Sequence, residues 1–267
     1  MGFNIGTVFF SFYGLIIGLA ILVAVLLISW LYKKEGYEEN VSFHLMFLVI
    51  PLSIFAARVF YVIFADGNVP LFAFRDGGMA IYGAVLMGVV TVFAYARYRK
   101  VGFFTLADAI VVGLILAQAI GRFGNMTNNL GGHHEVYGIE VGTHIPPFTV
   151  MVRGTPHIAA YFIETLFNLI GFVLLWRIYQ RQEKWGTTTA AYFMFYGTIR
   201  AAIEPLRLDS LTLFGTSDFV LNRISFLISI ALVIAGMVIL YLNKRTTFIN
   251  QQNAPIKETK PAKGGKS

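Results

Sequence analysis

An all-α membrane protein of about seven crossing helices is the fold class this sequence predicts, and three observations predict it. Of its 267 residues, 57% are hydrophobic and only 13% charged, a balance too apolar for a soluble chain of this size. Apolar runs recur along it at about 20 residues, the length a helix needs to cross a bilayer's hydrocarbon. Every lysine falls just after, or well beyond, the end of such a run, on what would be one side of the membrane.

The runs cover residues 9–31, 44–64, 79–96, 106–120, 158–178, 188–203 and 219–242. Lys33-Lys34 follow the first, Arg97, Arg99 and Lys100 the third, Arg177, Arg181 and Lys184 the fifth, and Lys244-Arg245 the seventh. Basic clusters beside spans mark the cytoplasmic side, so the N-terminus is expected outside and the C-terminus in the cytoplasm. The first run is too long for a signal-peptide core and has no basic segment before it, so it is expected to be a retained span. The fourth and sixth runs are short, as where a helix breaks inside the membrane. Residues 1–249 are expected to form the membrane body. Within it, the outer segment 122–157 is too long for a plain connector and is expected to form a small cap. It carries Gly131-Gly132, Pro146-Pro147 and four of the five histidines. Residues 250–267, polar with Lys, Pro and Gly, are expected to be a disordered basic tail near the cytoplasmic membrane surface.

Several functions are excluded early. The chain has no cysteine, so disulfides, thiolate metal sites and a cysteine nucleophile of its own are absent. The net charge of +7 comes from the cytoplasmic flanks and the tail, which suits a membrane surface and not nucleic acid. No span carries a lysine, so a retinal Schiff base is impossible. His133, His134 and Glu135 look like metal ligands at first sight. Adjacent histidines do not face one ion easily and no fourth ligand is evident, so neither a metal nor another cofactor is expected.

Arginines within or beside spans carry the chemical signal. Each costs about 2.5–3.5 kcal/mol at a helix centre on insertion scales, so each needs a reason. A planar fork that grips phosphate is one. Gly121-Arg122-Phe123-Gly124-Asn125-Met126-Thr127-Asn128 ends the fourth run. Its glycines let the backbone leave the helix, and freed N–H groups beside Arg122 suit an anion. The structural alternative is an arginine snorkelling to headgroups at a helix end. In the sixth run Tyr196, Arg200 and Glu204 are four apart and share a face, with Arg207 beyond Pro205, which is expected to end the helix. A structural Arg200–Glu204 ion pair is the alternative there. Ala56-Ala57-Arg58-Val59-Phe60-Tyr61 places an arginine in the outer half of the second run. Arg75-Asp76-Gly77-Gly78-Met79-Ala80-Ile81-Tyr82-Gly83 opens the third, with irregular backbone expected at the glycines. Tyr82 is either a ligand contact or an interfacial aromatic. Tyr13-Gly14 is a weak signal alone, and Asp108 near the cytoplasmic end of the fourth run reads as structural.

Taken in order, these segments resemble the bacterial prolipoprotein diacylglyceryl transferases over nearly the whole membrane body. Tyr13-Gly14 is similar to that family's first-span Tyr-Gly, and Ala57–Val62 to its second-span arginine motif. Gly77–Gly83 is similar to its Gly-Gly…His/Tyr-Gly segment, and Gly121–Asn128 to the start of its signature. Tyr196-Gly197…Arg200…Glu204…Arg207…Asp209-Ser210 and Asn222-Arg223-Ile224-Ser225 are similar to its C-terminal motif. Three positions depart from the pattern. Leu130 stands where the signature carries glutamate, Ile163-Glu164 where the family tends to have Tyr-Glu, and Tyr82 where many members have histidine.

The resemblance implies an enzyme of the bacterial cell membrane, with its active site toward the extracytoplasmic side. It would move a diacylglyceryl group from phosphatidylglycerol to the lipobox cysteine of a prolipoprotein signal peptide. It further implies catalytic roles for Tyr82, Arg122, Arg200 and Glu204. Tyr13, Arg58, Gly83, Gly121, Gly124, Asn125, Asn128, Tyr196 and Arg207 are expected to bind substrate. Arg122 and Arg200 would hold the lipid phosphate, Asn125 and Asn128 the headgroup, and Glu204 would orient Arg200. Tyr82 would be either the base or a hydrogen-bond donor. Leu130 favours a second expectation, a lipid- or lipoprotein-binding paralogue with weakened catalysis. A transporter of anionic solutes would use the same arginines but needs an inward polar route, and the inner halves of the spans are nearly charge-free.

Overall fold

The computed structural model describes residues 2–5, 8–37, 39–64, 70–72, 78–130, 137–207 and 224–245. A hairpin of β1 (Gly2–Ile5) and β2 (Val8–Ser11) leads into α1 (Phe12–Lys34), then α2 (Glu39–Phe64), α3 (Ile81–Tyr98) and α4 (Phe103–Leu130). A second antiparallel hairpin, β3 (Thr149–Val152) and β4 (Thr155–Ile158), precedes α5 (Ala160–Arg181) and α6 (Thr187–Ile203). A 3₁₀ turn at Glu204–Leu206 follows, and then α7 (Ile224–Arg245). This is the expected all-α polytopic architecture with two small hairpins added. Among the described residues, α1 to α5 and α7 are long and apolar enough to cross a membrane, while α6, at 17 residues, is shorter.

Apolar side chains do not need a protein partner where lipid can serve. Leu15, Leu19, Leu22 and Leu26 stay exposed along α1, as expected of a lipid-facing stripe. Lys33 and Lys34 in the last turn of α1 complement its C-terminal dipole.

The chain divides into two compact units. In the unit of residues 28–107, α2 packs on α3. Gly83 makes that approach possible, since a Cβ there would lie 2.5 Å from the Ala56 carbonyl oxygen. The Tyr32 hydroxyl donates to the Leu106 carbonyl at 2.9 Å, and the Tyr95 hydroxyl to that of Val41 at 3.4 Å.

The other unit comprises residues 1–27 and 108–248. Here α6 packs closely on α7, with small residues at the contact. A Cβ on Gly197 would lie 2.7 Å from the Ser229 carbonyl oxygen, and one on Gly236 2.7 Å from that of Ala190. The start of α6 is held by Asp108 of α4. Its carboxylate accepts from the Gly186 N–H at 2.7 Å, the Thr189 N–H at 2.8 Å and the Thr189 hydroxyl at 2.6 Å. Asp108 is fully buried, and its structural reading agrees with these bonds.

Two expectations are corrected. The fourth helix does not break at Gly121; α4 runs 28 residues to Leu130. Gly121 and Gly124 are there for closeness to α1 and not for backbone freedom. A Cβ on Gly121 would lie 3.2 Å from Ile17 Cδ1, and one on Gly124 3.0 Å from Ile16 Cγ2 and 3.4 Å from the Tyr13 ring. The first nine residues of segment 122–157 are therefore helical, and β3–β4 lies in its later part. The expected tail, Arg75 to Gly77, the His133-His134-Glu135 group, Asp209-Ser210 and Asn222-Arg223 lie outside the described residues, as do the side chains of Asn128 and Leu130.

Candidate active site

One carboxylate organises the arginines of the larger unit. Glu164 sits in the second turn of α5, with only 7% of its side chain exposed. Its Oε2 lies 2.5 Å from Arg122 Nε of α4. Its Oε1 accepts from Arg200 Nη1 of α6 at 3.1 Å and from Arg207 Nη1 at 3.0 Å. Arg200 Nη2 lies 3.2 Å from Glu204 Oε2, four residues on, and Glu204 is fully buried.

Each element delivers its residue for a local reason. The helix α6 ends at Ile203, where Pro205 cannot continue it, and the chain turns through 3₁₀ geometry into extended backbone at Arg207. Arg207 leaves the shared face of Tyr196, Arg200 and Glu204, yet its guanidinium still reaches Glu164. The backbone around it is fixed from outside the helix. The Ile139 N–H donates to the Leu206 carbonyl at 2.9 Å, and Gly138 bridges to Arg207. In turn the Gly138 N–H donates to the Ile158 carbonyl at 2.7 Å, tying the same strand to the entrance of α5.

The three guanidiniums and two carboxylates leave one formal positive charge among the described residues. The commitments differ. Both terminal nitrogens of Arg200 face carboxylates, whereas Arg122 meets Glu164 through Nε alone. Among the described residues, the Nη atoms of Arg122 have no other partner, and its side chain is 27% exposed. A fork so placed can take a phosphate by two parallel N–H···O bonds. Asn125, three residues along α4, is buried. The Tyr196 ring stacks on Tyr192 with centroids 5.5 Å apart, and Gln118 Nε2 donates to the Tyr192 hydroxyl at 2.9 Å.

The structure therefore brings together Arg122, Arg200, Glu204 and Arg207, with Tyr13, Gly121 and Gly124 at the α1–α4 contact that positions Arg122. Gly83, Gly121 and Gly124, expected to bind substrate, also let neighbouring helices approach. Arg58 and Tyr82 belong to the smaller unit. Arg58 is buried, with Nε 3.2 Å from the Leu71 carbonyl oxygen, Nη1 3.0 Å from that of Gly78 and Nη2 2.8 Å from that of Pro70. Gly78 has φ +70°, and a Cβ there would strike the Tyr61 ring. Arg58 thus ties Pro70 and Leu71 to Gly78 just before α3, where Tyr82 is half-buried. Glu164 was the residue that sequence reasoning did not promote to the site. The signal was present, since it is the only acidic residue in α5 and intramembrane charge is functional by default.

Comparison with known proteins identifies the family. Residues 1–242 match the family model described as prolipoprotein diacylglyceryl transferase. A phosphatidylglycerol–prolipoprotein diacylglyceryl transferase of Listeria monocytogenes serotype 4a is 33% identical over 253 residues, covering 89% of this chain and 87% of the relative. The protein of that name from Enterococcus faecalis is 32% identical over 249 residues, covering 87% and 86%. The one from Finegoldia magna is 29% identical over 245 residues, covering 90% and 93%. A multi-pass membrane enzyme of lipoprotein modification is the class that the fold and these likenesses define. The chain belongs to the prolipoprotein diacylglyceryl transferase family.

Proposed function

We propose that this enzyme transfers the diacylglyceryl group of phosphatidylglycerol to the lipobox cysteine of prolipoprotein signal peptides. The work would take place in the bacterial cytoplasmic membrane, with the site toward the extracytoplasmic side and residues 137–158 as its outer cap. The observation that carries the reading is the Arg122 fork, anchored through Nε and with neither Nη atom partnered among the described residues.

The reaction needs a thiolate, because a free cysteine thiol has a pKa of about 8.5 and the neutral thiol attacks poorly. The sulfur attacks the glyceryl carbon next to the phosphate. A C–S bond forms, the C–O bond breaks, and its electron pair passes to the phosphate oxygen. The products are a thioether and glycerol phosphate, and the thiol proton leaves to a base. Charge grows on the phosphate as the bond breaks, and fixed guanidiniums in a dry site stabilise that growth. Arg122 and Arg200 hold the phosphate. Glu204 orients Arg200, Arg207 adds its charge from the end of the 3₁₀ turn, and Asn125 with Asn128 holds the headgroup. Tyr82 takes the proton or donates a hydrogen bond to the sulfur. Tyr13 and Tyr196 line the lipid path, and Arg58 acts by holding the turn before Tyr82.

The test is a transfer assay on the full chain in detergent, with phosphatidylglycerol and a lipobox peptide. A lipid-sized mass gain on the cysteine, absent with Arg122→Ala, is expected. No gain, with phosphatidylglycerol still bound, would leave a lipid-binding paralogue whose Leu130 marks the lost carboxylate.

A further inference from the structure

We propose that Glu164 is a positioning and charge-setting residue that matches the arginine cluster to a singly charged phosphodiester and against a doubly charged phosphomonoester. The inference rests on the transferase reading, because the donor lipid carries the first kind of group and the glycerol phosphate product the second.

The geometry points this way. Glu164 touches three guanidiniums through both of its oxygens, and each pair joins a different segment of chain. Such a carboxylate fixes the forks relative to one another before any ligand arrives, so no rearrangement is needed when phosphate charge develops. It also removes one positive charge at the centre of the cluster. With Glu204 it leaves a single formal positive charge among the described residues, while Glu164 and Arg207 are each only 7% exposed. Charge left over in such a place is costly, because little water reaches it. A monoanionic phosphodiester closes that balance as counted over the described residues. A phosphomonoester, whose second pKa is about 6, is largely dianionic at neutral pH and overshoots it by one. The site so tuned holds the donor and lets the product go. Without Glu164 the balance would favour the product, which would be retained.

The inference makes Glu164→Gln the informative variant, since it keeps the shape and removes the charge. Binding of glycerol phosphate, and of a glycerol phosphodiester, to the full chain in detergent is measured by calorimetry, alongside product inhibition of transfer. The expected result is monoester affinity raised on the order of tenfold in the variant, the scale of one nearby charge at intermediate dielectric. Diester affinity should change far less, and inhibition by glycerol phosphate should strengthen in step. Glu164→Asp, which keeps the charge, should retain the wild-type monoester-to-diester ratio even where both affinities fall.

The wild-type protein supplies a measurement that needs no variant. Its affinity for glycerol phosphate should fall as pH rises through about 6, where the second proton leaves, while diester affinity stays level. Equal monoester affinity in wild type and Glu164→Gln, or wild-type monoester affinity that rises with pH, overturns the proposal. If the wild-type protein transfers no diacylglyceryl group yet the charge preference appears as described, the transferase reading fails and the role of Glu164 stands. If transfer occurs without the preference, the reverse holds.

Discussion

Arg122 Nε lies 2.5 Å from Glu164 Oε2, a contact that joins α4 to α5 and leaves both Nη atoms without another partner among the described residues. An arginine held by Nε keeps its two terminal nitrogens for a planar ligand. A lysine cannot do this, because its one nitrogen must serve both partners. Arg122→Lys therefore keeps the charge and loses the division of labour. Transfer activity should fall at least about tenfold, the scale of one charge-assisted hydrogen bond. The melting temperature should drop only slightly. Full activity in the lysine variant would show that the fork geometry is irrelevant.

Removing the hub carboxylate outright has a different signature from neutralising it. Glu164→Ala leaves three guanidiniums facing one another with no central partner. Breaking a buried pair in this way costs about 3–5 kcal/mol. Thermal unfolding in detergent should show that loss in Glu164→Ala, and a smaller one in Glu164→Gln, whose amide still accepts a hydrogen bond.

The close approach of α4 to α1 gives a purely steric prediction. Gly124→Leu places side-chain atoms where Ile16 and Tyr13 already sit. Overpacking of this kind costs about 1–3 kcal/mol. The variant should melt earlier and lose transfer, since Arg122 rides on the displaced helix. Gly124→Ala, whose Cβ has 3.0 Å to Ile16 Cγ2, should be milder. Equal behaviour of both variants with wild type would argue against the helix contact.

Asp108 supplies a control at the other end of α4 from Arg122. Asp108→Ala strips the Gly186 and Thr189 N–H groups and the Thr189 hydroxyl of their acceptor. Loss of a helix cap costs about 0.5–2 kcal/mol, and full burial puts this one toward the upper end. Activity per folded molecule should stay near wild type, as measured by transfer normalised to the monodisperse fraction.

Tyr82→Phe decides between two roles for one hydroxyl. Near-complete loss of transfer, with lipid binding intact, is the outcome expected of a base. A modest decrease fits a hydrogen-bond donor, with the thiolate stabilised by other groups. Unchanged activity removes Tyr82 from the chemistry.

Much of this was legible in the chain before any coordinates. Hydropathy and lysine placement marked the spans because lipid tolerates only apolar, self-satisfied helices. The spacing of Arg200 and Glu204 announced their ion pair because residues four apart meet on a helix. Two things were not legible. Glycine has two uses, bending a backbone and admitting a neighbour, and Gly121 and Gly124 serve the second, which only the presence of Ile16 and Ile17 reveals. Glu164 pairs with residues far off in sequence, so no local period betrays it. Its being the only acidic residue in α5, with the polar Thr165 and Asn168 buried beside it, was the available hint.

The separation of the partners along the chain also sets an order of events during synthesis. Arg122 is made before Glu164, and Arg200 and Arg207 follow Glu164 by 36 and 43 residues. The fourth helix must therefore enter the bilayer before Glu164 is made, with Asp108 as its one other charged residue. Until α5 arrives, the anions within reach of a snorkelling arginine are lipid headgroups. The nascent enzyme thus meets lipid phosphate before it meets its own carboxylate.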